Sequence, residues 1–194
     1  MTKTVNVIIT LITIISSSLL STVISLSQNI LSQAQTEFLT YENKDFGLTI
    51  QYPSDWAKEE ESTSKSSNVN IVASFVKQNG SQLKTEADLY IRIEEFLGKN
   101  ITLEKFAQLQ KAYTSSLLAV SSFNESKTII GNKSALQIEY DFKGFGGTVR
   151  HGINSLIIND DIGYSIVFTA DKEKYDKYLP IGQKMIDSFQ IGTK

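Results

Sequence analysis

Phe46-Gly47-Leu48-Thr49-Ile50-Gln51-Tyr52-Pro53-Ser54-Asp55-Trp56 is the stretch from which the fold is read. Leu48, Ile50 and Tyr52 fall on one face of an alternating strand, and Pro53 stops the ladder because it has no amide hydrogen to donate. Trp56, the chain's one tryptophan, follows where the chain leaves the sheet and is expected to anchor packing there rather than to stack on a ligand. The stretch holds no reacting group, so it speaks to scaffold and not to chemistry.

Working outward, Glu59 to Asn68 is a polar loop, and Val69 to Val76 carries apolar residues on both faces, as a strand covered on both sides would. Asn79-Gly80 predicts a turn, and Leu89, Ile91 and Ile93 then alternate with Tyr90, Arg92 and Glu94, which implies two antiparallel neighbours. Thr102 is a suitable N-cap, Glu104 suits the positive helix end, and Phe106, Leu109, Tyr113, Leu117 and Val120 recur at helical spacing. One amphipathic helix follows from that pattern.

Ala135 to Ile158 reads as a hairpin. Leu136, Ile138, Tyr140 and Phe142 share a face, and a four-residue loop Gly144–Gly147 would set Phe142 opposite Val149, Tyr140 opposite His151 and Ile138 opposite Ile153. That register would also bring Asp141 against Arg150. Asn159, Asp160 and Asp161 turn the chain into a last strand with Ile162, Tyr164, Ile166 and Phe168, completing a three-stranded meander. Beyond Asp171, an N-cap residue, Tyr175, Tyr178 and Leu179 precede Pro180, and Ile181, Met185, Ile186 and Phe189 follow it. The proline predicts a short helix, a break near Leu179 and a second helix with Pro180 in its first turn.

The N-terminus bears on location. Between Lys3 and Glu37 no residue is charged, and Val5 to Leu26 is dominated by Ile, Leu, Val, Thr and Ser. With Lys3 as a positive flank and Ser32-Gln33-Ala34 as a small-x-small site, residues 1–34 resemble a secretory signal peptide cut after Ala34, the preferred reading. The alternative is an uncleaved anchor, because about 20 apolar residues span a bilayer. Residues 35–40 then form a linker and 41–194 a single domain. Both readings place the domain outside the cytoplasm, secreted or tethered, with membrane contact only through an uncleaved N-terminal segment. The sequons at Asn79, Asn100, Asn124 and Asn132 are glycosylation candidates near predicted turns.

The 194 residues suit one domain with an ordinary apolar core, and a net charge of -2 offers no basic field for nucleic acid. The chain has no cysteine, which removes disulfides, thiol nucleophiles, thiolate metal sites and N-terminal lipidation on cysteine.

The Phe46-Gly47 and Tyr52-Pro53-Ser54-Asp55-Trp56 motifs, the mid-chain helix, the meander and the closing Met185-Ile186-Asp187-Ser188-Phe189 together resemble the PsbP-like family over Tyr41 to Ile191. That family is typified by the extrinsic oxygen-evolving-complex protein of photosystem II, and its fold is shared with a Ran-binding nuclear import factor and bacterial surface lipoproteins. The resemblance implies an α+β class, an α/β/α sandwich with a central antiparallel sheet and helices on its faces. It also implies an extracytoplasmic binding or assembly role without catalysis. The plant members retain calcium and chloride at a manganese cluster, with reported metal binding; their functional residues are not carried over to positions of this chain.

Candidate chemistry is sparse. His151 is the one histidine, so a multi-histidine metal site is excluded and a catalytic triad would have to use it; a structural or partly exposed ring is expected. No serine sits in a nucleophile elbow, and Gly144-Phe145-Gly146-Gly147 lacks the lysine and helix of a phosphate loop. Asn159, Asp160 and Asp161 are weak candidates for calcium, short of the six to eight oxygens that ion takes. Glu59-Glu60-Glu61 is read as a solvated loop. No catalytic or cofactor residue is assigned. The preferred function is a non-enzymatic module for an envelope or membrane-associated protein complex. A small-molecule or metal-ion (calcium or manganese) carrier is the alternative, and a hydrolase the third.

Overall fold

The computed structural model describes residues 36–59, 69–80 and 84–192. The expected leader or anchor, its cleavage site at Ala34 and the acidic pair Glu60-Glu61 lie outside the described residues. In chain order the elements are β1 (Phe38–Asn43), β2 (Leu48–Pro53), β3 (Ala57–Glu59), β4 (Val69–Gln78), β5 (Thr85–Glu95), α1 (Leu103–Leu118), β6 (Asn124–Ile130), β7 (Lys133–Lys143), β8 (Val149–Asn159), β9 (Ile162–Asp171), α2 (Tyr175–Asp187) and β10 (Gln190–Ile191). A seven-stranded antiparallel sheet runs in the order β3-β4-β5-β9-β8-β7-β6, and β1-β2-β10 form a smaller antiparallel sheet.

One face of the large sheet carries the main core. Phe75, Leu89, Ile91, Ile166 and Phe168 project from its centre and meet Leu48 and Ile50 from β2 and Tyr178, Met185 and Ile186 from α2, all buried. Trp56 is 4% exposed within this core and meets the Tyr178 ring edge-on at 6.3 Å, the packing role expected of it. The helix approaches the sheet so closely that a Cβ at Gly182 would lie 2.6 Å from the Phe168 ring. On the opposite face, Phe106 and Ala107 of α1 pack against Leu136, Ile138 and Leu156. The α+β sandwich with an antiparallel sheet and a helix on each face is therefore the observed architecture.

Several local expectations are corrected. Phe38–Thr40, read as linker, belong to β1, and the carbonyl of Glu37 accepts from Ser54 N–H at 2.8 Å. The strand β6 was not foreseen, because Asn124-Glu125-Ser126-Lys127-Thr128 is a polar edge with no alternation to read. The β7–β8 register is shifted by one: Lys143 faces Val149, Phe142 faces Arg150, Asp141 faces His151 and Ile138 faces Asn154. The loop is five residues, closed by Gly144 N–H to the Thr148 carbonyl at 2.8 Å, and Gly146 and Gly147 both take φ of 81° to make it. The odd length moves Arg150 away from Asp141.

Around Pro180 no break occurs; after a 3-10 turn at Lys172–Lys174, α2 runs through the proline. Pro180 is exposed, so its missing amide bond is the cost, while Tyr178, Gly182, Met185 and Ile186 hold the helix on the sheet. Asp171 makes no side-chain cap, since its carboxylate is taken by Arg150. In α1, Thr102 Oγ1 caps Lys105 N–H at 3.2 Å as expected. The helix is amphipathic as expected, with Phe106 and Val120 buried, but Leu109, Tyr113 and Leu117 are 38%, 51% and 64% exposed, while Gln110 and Thr114 are buried. Gln110 is drawn inward by two partners on β5, accepting from Arg92 and donating to Glu94 Oε2 at 3.1 Å.

Candidate functional site

A half-open groove of about 650 Å³ lies at one end of the sheets. Its floor is apolar: Ile162 and Tyr164 from the start of β9, Ile191 from β10 and Phe46 from the β1–β2 turn. Its rim is charged, with Glu95 and Leu97 where β5 ends, Lys133 where β7 begins, and the β8–β9 turn Asn159-Asp160-Asp161. The sequence places this rim by using backbone conformations that turns require. Asp160 and Leu97 both have positive φ, 54° and 37°, and Gly98 follows at 75°.

Hydrogen bonds fix the rim. Asp161 ties two loops together, its carbonyl accepting from Phe96 N–H at 2.7 Å and its Oδ2 from Gly98 N–H at 3.0 Å. Lys133 Nζ donates to Asn159 Oδ1 at 2.6 Å, and Asn159 Nδ2 donates to Asp160 Oδ2 at 3.1 Å. On the floor, Tyr164 hydroxyl donates to the Phe46 carbonyl at 3.4 Å. Burial, and then the charge of Asp160, push the Tyr164 hydroxyl above the ordinary phenol range, so it stays a neutral donor. At the mouth, Gly192 N–H donates to the Gly47 carbonyl at 2.6 Å.

The turn residues read as weak calcium candidates are thus brought into the groove, but their oxygens serve the loops. Among the described residues, no group of three His, Cys, Asp or Glu side chains is arranged to hold a metal ion. The rim carboxylates of Glu95, Asp160 and Asp161 face a lone cation, Lys133, which leaves the groove acidic.

His151 lies elsewhere. Its Nδ1 is 2.6 Å from Asp141 Oδ1, Lys172 bonds the other carboxylate oxygen, and the ring stands edge-on to Tyr175 at 4.3 Å. The bonds from Lys172 and then His151 hold the Asp141 carboxyl below its usual range. A cleft of about 110 Å³ beside this pair includes Ser122, Glu139 and Asn124, yet His151 is hydrogen-bonded to no serine among the described residues. The glycan candidates Asn79, Asn100, Asn124 and Asn132 are all exposed, Asn100 and Asn132 at positive φ in turns and Asn124 at the head of β6.

Sequence reading missed the buried ion clusters on the sheet. Arg150 bonds Asp88, Asp171 and Thr169, and Glu86 bonds Lys174 and the Tyr178 hydroxyl. The one available signal was the glycine pair Gly146-Gly147, which favours the odd loop and the register that turns Arg150 inward.

No family model matches the sequence, and no curated protein matches it. Solved structures do. The solution structure of cyanobacterial PsbP (CyanoP) from Synechocystis superposes with a TM-score of 0.60 at 14% identity, covering 82% of this chain and 95% of that one. LpqN, involved in cell envelope biogenesis of Mycobacterium tuberculosis, gives 0.56 at 13% identity over 82% of this chain and 92% of its own. The Saccharomyces cerevisiae Ran-binding protein Mog1p gives 0.53 at 9% identity, covering 81% and 96%. At these identities the likeness is one of fold, and the fold is PsbP-like.

Proposed function

We propose that this chain is a non-enzymatic, extracytoplasmic binding module that docks a segment of an envelope or membrane-associated protein into the groove between the β8–β9 turn and the end of β5. The observation that carries this reading is the groove itself. It joins an apolar floor, which gains free energy by excluding water from a partner's apolar side chain, to an acidic rim that orients a basic flank. Its exposed lip, Leu97, is 69% accessible and lies between Phe96 and Gly98, whose amides both donate to Asp161. LpqN's link to envelope biogenesis, Mog1p's binding of Ran and the uncharged N-terminal segment are in keeping with a protein partner at the envelope. A carrier for a small molecule or ion draws less support, because the groove is half-open rather than enclosed.

Site-specific photocrosslinking in the native host tests the proposal. A benzophenone side chain at Leu97 is expected to give a discrete adduct with an envelope-fraction protein, which Asp160→Lys weakens severalfold. The same probe at Ile129, 72% exposed on the β6 edge, is the control. No adduct at Leu97, or the same adducts at both positions, overturns the assignment.

A further inference from the structure

The strand β6 ends the seven-stranded sheet, and among the described residues it pairs with β7 alone. Residues 60–68 and 81–83 connect β3 to β4 and β4 to β5, on the other side of that sheet. The two-residue turn Gly131-Asn132, with φ of 54° and 65°, makes Ile130–Lys133 a hydrogen-bonded pair, so Thr128, Ser126 and Asn124 also bond inward to β7. Glu125, Lys127 and Ile129 are left with N–H and C=O directed outward from the sheet edge. Their side chains share the α1 face with Phe123: Glu125 accepts from Lys111 of α1 at 2.9 Å, and Phe123 stands edge-on to Tyr140 at 5.7 Å. Ile129 is 72% exposed, and Lys127 is exposed with no ion-pair partner among the described residues.

We propose that β6 pairs antiparallel with β6 of a second copy of this chain, about a two-fold axis through Ser126 and normal to the sheet. Along the α1 face the strand reads apolar, acidic, basic, apolar, so Phe123 meets the partner's Ile129 and Glu125 meets the partner's Lys127 on both sides of the axis. Charge fixes this register. Sliding the copies by two residues sets Lys127 against the partner's Lys127 in one direction and Glu125 against the partner's Glu125 in the other. A slip of one opposes outward-bonding residues to inward-bonding ones. Each facing pair of Glu125 and Lys127 exchanges two main-chain bonds through edge groups that β7 does not use, an isologous contact. The layers leave room for it. Helix α1 packs chiefly on β7 and β8, so the two α1 helices stand about 19 Å apart, beyond the roughly 10–12 Å diameter of a helix. On the other face α2 lies further from the axis, over β9, β5 and β2. A strand from a different protein fits less well, because the charges and apolar ends of β6 match its own sequence reversed.

Because the chain has no cysteine, single introduced cysteines read the register directly. In the full chain isolated from its host, Ser126→Cys is expected to form a disulfide-linked dimer on mild oxidation. Thr128→Cys alone is not, since its two copies would sit about 14 Å apart along the strands. An equimolar mixture of Thr128→Cys and Asn124→Cys restores the cross-link. By sedimentation, Lys127→Glu and Glu125→Lys each weaken self-association at least tenfold with an unchanged circular dichroism spectrum, and mixing the two variants recovers it. A benzophenone at Ile129 reports the same contact as an adduct of two copies, distinct from the groove adduct. A wild-type chain that sediments as a monomer at every concentration overturns the proposal. So does cross-linking of Thr128→Cys equal to that of Ser126→Cys, failure of the mixed charge variants to associate, or a Ser126→Cys adduct to a different protein in place of the dimer.

Discussion

Arg150 Nη1 lies 3.2 Å from Asp171 Oδ1, and the two residues face each other directly across β8 and β9. The same guanidinium passes β9 to bond Asp88 on β5, while Thr169 accepts from Arg150 at 2.7 Å and donates to Asp88 at 2.8 Å. The side chains of Arg150 and Asp171 are 10% and 8% exposed and that of Asp88 is 24% exposed, so the cation holds one carboxylate that water barely reaches and a second that it reaches in part. Removing it strands them. Arg150→Met is expected to cost about 3 kcal/mol, read from the urea midpoint, with Arg150→Lys intermediate because an ammonium keeps the charge and loses the fork. A loss near zero would mean that water replaces the guanidinium freely.

This cluster also marks where sequence reading stops. Alternation identified β2, β5, β7, β8 and β9 because each buries one face continuously, and Thr102 located the start of α1 because a cap is a local interaction. Register is not local: it was set by a five-residue loop closed between Gly144 and Thr148, and a one-residue slip sends Arg150 to the opposite face. The face that α1 buries was not legible for a related reason. Apolar spacing says which residues share a flank, whereas the rotation of the helix was decided by Gln110 finding Arg92 and Glu94 on β5. The groove was legible only as a turn, since its floor comes from strands far apart in sequence.

Acid is expected to weaken the fold through Glu86. The bond from Lys174, and next that from the Tyr178 hydroxyl, hold this buried carboxyl below its ordinary value of 4.5. A carboxyl lowered by folding contributes stability that is fully present above its unfolded value and lost as pH falls through the folded one. Thermal melts should therefore decline below about pH 4.5, and Glu86→Gln should flatten that decline while lowering stability at pH 7. An unchanged slope in the variant assigns the acid sensitivity to other carboxylates.

Gly182 should not tolerate a side chain. A Cβ there would sit 2.6 to 2.7 Å from the Phe168 ring, which is itself fully buried and cannot swing away. Alanine raises helix propensity, but the overpacking is the larger effect, and Gly182→Ala is expected to lose about 1–3 kcal/mol. Combining it with Phe168→Leu, which vacates the contact, should recover less than additive damage in a double-mutant cycle. Full additivity would place the strain somewhere other than this pair.

Pro180 offers the converse. It stands inside α2, where its nitrogen cannot donate to the carbonyl of Asp176, and its ring is exposed and packs on nothing in the core. Interior proline costs a helix about 3 kcal/mol, against which it stiffens the unfolded chain by about 0.4–1 kcal/mol. Pro180→Ala should therefore stabilise the protein by about 2–2.6 kcal/mol, visible as a higher urea midpoint with an unchanged slope. The residues that seat α2, Tyr178 and Met185, lie on the opposite side and are untouched by the change. Destabilisation by Pro180→Ala would show that the proline bends α2 into its fit with Phe168, and that the helix reaches the sheet because of the residue that interrupts it.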